Sequence, residues 1–96
     1  MSYEFVSLKP ATGDKKYAAT IKNKTTGREK TIKFGAKGYT DYTKGATEEQ
    51  KKSYLTRHKA RENWSDPTTA GFWAKHVLWN EKSVAKSLAQ TKSKYF

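Results

Sequence analysis

The chain has 96 residues and an apolar fraction of 34%, which leaves room for one modest hydrophobic core and predicts a single small basic domain, residues 1–96. It contains no cysteine, which excludes a disulfide framework and a thiolate metal site. With 20 basic and 9 acidic residues the formal net charge is +11, so the composition favours an acidic partner such as nucleic acid or an anionic protein surface.

The sequence also predicts where the protein does not reside. No apolar run approaches the roughly 18 residues of a membrane span. The start MSYEFVSLKP lacks the basic and then apolar layout of a secretory signal peptide. We therefore expect a protein that has no membrane span and is not secreted.

Residues 1–34 are predicted to form strands and a hairpin. Residues 3–8, 16–23 and 28–34 alternate apolar and polar side chains, which is typical of half-buried β-strands. The first of these stretches is predicted to be an edge strand. The segment Lys24-Thr25-Thr26-Gly27 predicts a hairpin loop in which Gly27 adopts a positive φ.

Residues 35–46 are predicted to be an ordered loop pinned by its tyrosines, and residues 47–96 to form three helices. Thr47 and Gln50 match a capping box, which starts a helix expected to reach about residue 62. Asp66-Pro67 interrupts the helical pattern, and a second helix is expected over residues 70–79. Ser83 is predicted to cap the third helix, whose inward stripe repeats from Val84 to the C-terminus.

The segment 63–80, NWSDPTTAGFWAKHVLWN, holds all three tryptophans and is the predicted nucleus of the core. Three tryptophans exceed what so small a domain readily buries, so at least one is expected to be partly exposed. The fold class is α+β, with an N-terminal two or three stranded antiparallel sheet packed against three helices. The predicted structural core is Trp64, Phe72, Trp73, Val77, Trp79 and Leu88.

Three sequence blocks carry a family resemblance: FGAKGYTDYT (34–43), YLTRHKARENW (54–64) and TAGFWAKHVLWN (69–80). Together they resemble an uncharacterised family of small basic proteins encoded by large nucleocytoplasmic DNA viruses of the algal-virus and mimivirus type. The resemblance covers residues 16–96. It implies a viral origin and presence in the virion, and it transfers no catalytic residue.

The leading candidate site is a basic helical surface. Arg57 and Arg61 are four residues apart, a spacing that lets two guanidinium groups on one helix grip neighbouring phosphate oxygens. The alternative is an ordinary solvated face, although the net charge leaves too few carboxylates to pair with these cations. The predicted nucleic-acid contacts are Lys52, Arg57, Lys59, Arg61, Lys86 and Lys94, and the strand residues Lys16, Lys22 and Lys33 are candidates to extend them.

A second candidate lies in the glycine-rich loop, where Lys37, Tyr39, Tyr42 and Lys44 interleave cations with rings. Stacking of bases on Tyr39 and Tyr42 would suit single strands, and the alternative is that buried tyrosines hold the loop in place. GAKGYT lacks the Gly-Lys-Ser/Thr ending of a P-loop, so nucleotide hydrolysis is not predicted.

His58 and His76 are the only histidines, and the nearby carboxylates do not have a recognised metal-ligand spacing. Each histidine is predicted to lie at the core edge with one ring nitrogen bonded to backbone. No metal or cofactor is expected, and the protein is predicted not to be an enzyme. A small nuclease that depends on His58 and magnesium is the weakest of the functional hypotheses.

The sequence therefore predicts a non-enzymatic, virion-associated basic protein that binds nucleic acid nonspecifically through backbone phosphates, with packaged DNA as the expected partner. The alternative is a minor capsid or scaffold protein that contacts acidic surfaces of other virion proteins. Either protein would reside in the virion or inside the infected host cell. The oligomeric state does not follow from the sequence.

Overall fold

Three strands form an antiparallel sheet in the order β1-β2-β3 in a computed structural model, which describes residues 2–96. The strands are β1 (Tyr3–Pro10), β2 (Lys15–Asn23) and β3 (Glu29–Ala36). They are followed by a 3-10 turn (Tyr42–Lys44) and by helices α1 (Glu48–Lys59), α2 (Ala70–Trp73) and α3 (Val84–Tyr95). This is the predicted α+β arrangement, with three strands in the sheet.

The sheet buries one face against the helices. Ala19 and Ile21 of β2 and Ile32 and Phe34 of β3 are buried at alternate positions, as their sequence pattern predicts. In β1 the pairing register shifts between Phe5 and Ser7. This bulge leaves Val6 exposed and turns Leu8 as well as Phe5 toward the core.

The β2–β3 hairpin loop is closed by Asn23 and Gly27. The Asn23 side-chain oxygen accepts the backbone N–H groups of Thr25 and Thr26, at 2.8 and 3.1 Å. The Gly27 N–H donates to the Asn23 carbonyl at 2.8 Å, and its φ is 73°. The predicted positive φ at Gly27 is confirmed, and it lets the chain reverse between the two strands.

Helix α1 begins at the predicted capping box and ends earlier than predicted. Thr47 Oγ1 accepts the Gln50 N–H at 3.2 Å, while the Gln50 side chain accepts the Thr47 N–H at 2.8 Å. The last helical residue is Lys59, so the expectation of a helix to about residue 62 is wrong. The next residues form a turn in which the N–H groups of Arg61 and Glu62 both donate to the His58 carbonyl.

The α-helical part of the second predicted helix is shorter than predicted and ends at Trp73. The chain then continues as a π-helical turn (Ala74–Leu78). The Trp79 N–H donates to the Ala74 carbonyl, five residues back, at 3.2 Å. Three consecutive residues of this turn, His76, Val77 and Leu78, are buried because the turn lies between the sheet and α3. Helix α3 starts at Ser83 as predicted, with the Ser83 hydroxyl accepting the Lys86 N–H at 3.2 Å.

The core centres on Trp73, which is fully buried. Its ring lies 6.2 Å from that of Phe34, 6.1 Å from that of Phe5 and 5.8 Å from that of Phe96, and its indole N–H donates to the Pro67 carbonyl. Burying one indole of this size contributes about 4–6 kcal/mol at 25 cal/mol per Å². The tryptophan block is thus where much of the apolar burial lies.

Not every predicted core residue is in the centre. Phe72, Trp73 and Val77 are fully buried, whereas Trp79 and Leu88 are partly buried and pack against the core. Trp64 is not part of the core, and its assignment there is wrong. It is half-buried because it lies in the turn region between α1 and α2, with its ring against Lys75. The expectation that at least one tryptophan is partly exposed is confirmed.

Candidate nucleic-acid interface

All six predicted nucleic-acid contacts have exposed side chains. In the described residues 2–96, none of them has a carboxylate oxygen within 4.0 Å. On α1, Lys52 and Lys59 are seven residues apart and therefore share one face of the helix. Arg61 lies beyond the helix end, so the predicted grip of two guanidinium groups on one helical face is not formed by Arg57 and Arg61.

Almost all the positive charge of the described chain is without an ion-pair partner. Of the 20 lysines and arginines, only Lys16 is paired with a carboxylate, that of Asp41, and the Nζ to Oδ2 distance is 2.5 Å. This pair removes Lys16 from the candidate phosphate contacts, a correction to the sequence prediction. Lys22 and Lys33 remain exposed and unpaired.

Several lysines lie over aromatic rings. The ammonium group of Lys51 is 4.5 Å from the ring centre of Tyr42, that of Lys75 is 5.3 Å from Trp64, and that of Lys94 is 5.4 Å from Tyr95. A cation–π contact orders the side chain without neutralising its charge. None of these three lysines has a carboxylate partner within residues 2–96.

Three lysines on different helical elements influence one another electrostatically. Burial, and then the nearby charges of Lys94 and Lys51, lower the pKa of Lys75 below its ordinary value. Lys51 is on α1, Lys75 on the π-helical turn and Lys94 on α3. We call Lys51, Lys75 and Lys94, together with Lys52, Arg57, Lys59, Arg61 and Lys86, the helical basic surface.

A groove of about 680 Å³ lies between the end of the sheet, the loop after β3, α1 and α2. The three sequence blocks that carry the family resemblance all contribute to it. Its floor includes Phe34 and Leu78, and its rim includes Arg57 and Lys15. Both cations at the rim lack a carboxylate partner within the described chain.

One wall of this groove is a stack of three rings. The Tyr54 ring lies between those of Trp79, at 4.4 Å and 7° from parallel, and His58, at 4.2 Å. His58 Nδ1 is 3.3 Å from Glu62 Oε1, and the same carboxylate oxygen accepts the Trp64 indole N–H at 3.3 Å. Burial, and then the Glu62 charge, raise the pKa of Tyr54 above its ordinary value.

A second cleft, of about 480 Å³, adjoins the groove. It is lined by Tyr17 of β2 and by Lys37, Tyr39 and Lys44. Tyr39 and Tyr42, the two residues predicted to stack on bases, differ in their exposure to solvent. Tyr39 is 74% exposed, whereas Tyr42 is 7% exposed.

The prediction of base stacking on Tyr42 is contradicted by its burial. Its hydroxyl donates to the Glu48 carboxylate, and this hydrogen bond, followed by burial, raises the pKa of Tyr42 above its ordinary value. Lysine ammonium groups lie over its ring. Tyr42 therefore holds the loop in place, and Tyr39 is the ring available to a partner.

The two histidines have different surroundings. His76 is buried, and its Nε2 lies 2.9 Å from the Trp64 carbonyl. A carbonyl only accepts, so Nε2 carries the proton. Burial lowers the pKa of His76 to about 4, which keeps the ring neutral. The predicted backbone bond is confirmed for His76 and wrong for His58, whose described partner is a carboxylate.

The sequence analysis missed Lys15 and Lys75. Lys75 lies within a mostly apolar segment, and Lys15 stands between Asp14 and Lys16 at the start of a strand. Their sequence neighbours do not indicate which cations are unpaired, because Lys15 follows an acidic residue and still has no carboxylate partner in the described chain. Within residues 2–96 no group of three or more His, Cys, Asp or Glu is placed to hold a metal ion, and no helix is long and apolar enough to cross a membrane.

The fold and the unpaired cations define a small basic α+β domain. The chain belongs to the family of unknown function DUF5754, whose model matches residues 6–58. The matched part runs from within β1 through all three strands to the last turn of α1. No curated protein and no solved structure matches the chain.

Proposed function

We propose that this protein binds nucleic acid nonspecifically through backbone phosphates, without catalysing a reaction on it. The single observation that carries the proposal is that nineteen of the twenty lysines and arginines have no carboxylate partner in the described chain. Unpaired cations in this number attract a polyanion and release its condensed counterions on contact. We take duplex DNA, with its high density of phosphates, as the polyanion for the test.

The helical basic surface supplies the contacts. Its residues come from α1, the turn that follows it, the π-helical turn and α3, so the set of cations is wider than one helix. Contact between about five of its cations and duplex phosphates gives a slope near −4.5 for the logarithm of affinity against the logarithm of salt concentration. Phosphate contacts of this kind carry no base information, so no strong sequence preference is expected.

The test is binding of a fluorescent duplex oligonucleotide, followed by anisotropy across a range of salt concentrations. We expect affinity to fall steeply with salt and to be similar for unrelated sequences. A matched pair of variants locates the contacts. Lys52→Gln with Lys59→Gln is expected to reduce the magnitude of the slope by about 1.8, which corresponds to two phosphates.

The control is Lys24→Gln with Arg28→Gln, which removes the same charge from the hairpin loop between β2 and β3. We expect it to change the slope much less. Binding that does not weaken between low and moderate salt would contradict the proposal, as would equal effects of the two double variants. Cleavage of the duplex in the presence of magnesium would contradict its non-enzymatic part.

A second candidate function is contact with an acidic protein surface, as in a minor capsid or scaffold protein. The exposed Tyr39 and Val6 favour it, because exposed apolar side chains serve protein interfaces as well. Polyglutamate separates the two candidates: we expect it to compete weakly with DNA, and equal competition would favour the acidic protein partner. The viral origin and the place in the virion stay predictions, which purified particles with and without genome would test.

A further inference from the structure

Tyr39 forms a ridge between the two clefts. The groove and the second cleft share Lys16, Tyr39 and Thr40 in their walls, so the two clefts adjoin at Tyr39. The Tyr39 side chain is 74% exposed, the most exposed large apolar side chain in the described chain. A ring in this position has a free surface for a partner.

The backbone beneath this ring is held firmly. Lys16 Nζ donates to the Tyr39 carbonyl at 2.5 Å, and the same ammonium group is paired with the buried Asp41. On the other side the Lys37 N–H donates to the Asp14 carbonyl at 2.9 Å. A ring presented from a fixed backbone loses little conformational freedom on binding, which favours its use as a contact.

Unpaired cations flank the ridge on both sides. Arg57 and Lys15 line the groove, and Lys37 and Lys44 line the second cleft. Within residues 2–96 none of the four has a carboxylate within 4.0 Å. Asp41, the acidic residue of the loop, is already paired with Lys16. Each of the two clefts that Tyr39 lines therefore carries two unpaired cations.

We infer that this ridge binds single-stranded DNA, with one base stacked on Tyr39 and the flanking phosphates held by Arg57 and Lys15 on one side and by Lys37 and Lys44 on the other. The inference rests on the proposed function and names the form of nucleic acid and the site. A single strand exposes the faces of its bases to an aromatic ring, whereas a duplex keeps them stacked inside. A free nucleotide would engage only one of the two clefts.

The experiment compares a mixed-sequence single strand with the same strand annealed to its complement, both measured by anisotropy at one salt concentration. Tyr39→Ala is expected to weaken binding of the single strand by about 5-fold or more, the effect of losing one stacked base. Duplex affinity should stay within about 2-fold, because duplex contacts use charge. Tyr39→Phe keeps the ring and should bind like the unmodified protein.

A second set of variants, which removes positive charge, tests the predicted contacts with the flanking phosphates. Lys37→Gln with Lys44→Gln is expected to reduce the magnitude of the salt slope on single strands by about 1.4, or about 0.7 for each phosphate. The control is again Lys24→Gln with Arg28→Gln, because the hairpin loop begins after Asn23, which is seven residues along β2 from Lys16 and about 23 Å away. Equal changes in slope for the two double variants would overturn the assignment of the clefts.

The outcomes separate this inference from the proposed function. If the protein binds both forms of DNA and Tyr39→Ala weakens both equally or neither, the ridge is not a stacking site, while phosphate binding stands. If the protein binds neither form, both ideas fail together. If a free mononucleotide protects the Tyr39 ring from chemical modification as well as the single strand does, the two-cleft arrangement is wrong.

Discussion

Lys16 and Asp41 form an ion pair that fastens the loop after β3 to the second strand. The Lys16 side chain is 11% exposed and that of Asp41 is 2% exposed, so the pair is largely withdrawn from water. Asp41 also accepts the Thr43 N–H at 2.8 Å and so begins the 3-10 turn. The one lysine or arginine that is neutralised within residues 2–96 therefore has an architectural role, and it holds the backbone from which Tyr39 projects.

Asp41→Ala is expected to lower the free energy of unfolding by about 3 kcal/mol, because it leaves the Lys16 ammonium group without its partner in a nearly buried site. Urea denaturation measures the change. The control is Lys15→Ala, which removes an adjacent lysine that has no carboxylate partner in the described chain and should cost less than about 0.5 kcal/mol. Similar losses for both variants would show that the ion pair contributes little.

Gly35→Ala is expected to destabilise the fold more than Gly27→Ala, although both glycines have φ near +75°. A Cβ at Gly27 meets nothing within 4 Å, so the cost there is that of the left-handed backbone, about 1–2 kcal/mol. At Gly35 a Cβ would lie 2.7 Å from Leu78 Cδ1, which adds about 1 kcal/mol or more of overpacking. Thermal and urea unfolding of the two variants test this, and equal losses would mean that the sheet end and the π-helical turn move apart freely.

Acid is expected to destabilise the protein through His76. Its pKa is lowered from 6.5 to about 4, so the unfolded state binds more protons than the native state between these pH values. The contribution of His76 to the free energy of unfolding is fully present above pH 6.5. It decreases as the pH drops toward 4, by about 3 kcal/mol in total. His76→Gln keeps a donor for the Trp64 carbonyl and should remove the dependence of the free energy of unfolding on pH between 4 and 6.5. If that dependence is unchanged in the variant, it arises from other titratable groups.

Tyr54→Ala is expected to loosen α1, because the Tyr54 ring stacks on Trp79 and so joins that helix to the segment before α3. We expect a loss of about 3 kcal/mol in stability and faster amide hydrogen exchange throughout α1. Tyr54→Phe keeps the stack and should lose much less. Lys52→Ala, on the exposed face of the same helix, should leave exchange nearly unchanged; an effect as large as that of Tyr54→Ala would show that α1 is held by its own helical propensity.

Local sequence determined most of the secondary structure. The alternation in residues 16–23 and 28–34, the Gly27 turn, and the caps at Thr47 and Ser83 are short-range features, and each is present in the structure. The end of α1 and the form of the second helix were not predictable in this way. The π-helical turn puts three consecutive residues in the core, and only packing between the sheet and α3 selects that geometry.

The sequence by itself also determined the charge excess and the residue types available to a polyanion. It did not determine which cation is neutralised or which aromatic ring is exposed. From the sequence pattern, Tyr39 and Tyr42 are equally good candidates for stacking. Those outcomes depend on contacts between residues distant in the chain, such as Lys16 with Asp41, because burial and pairing arise only when separate elements pack together. Tertiary structure therefore decided that Tyr42 is covered and that Tyr39 stands between two clefts lined by unpaired cations.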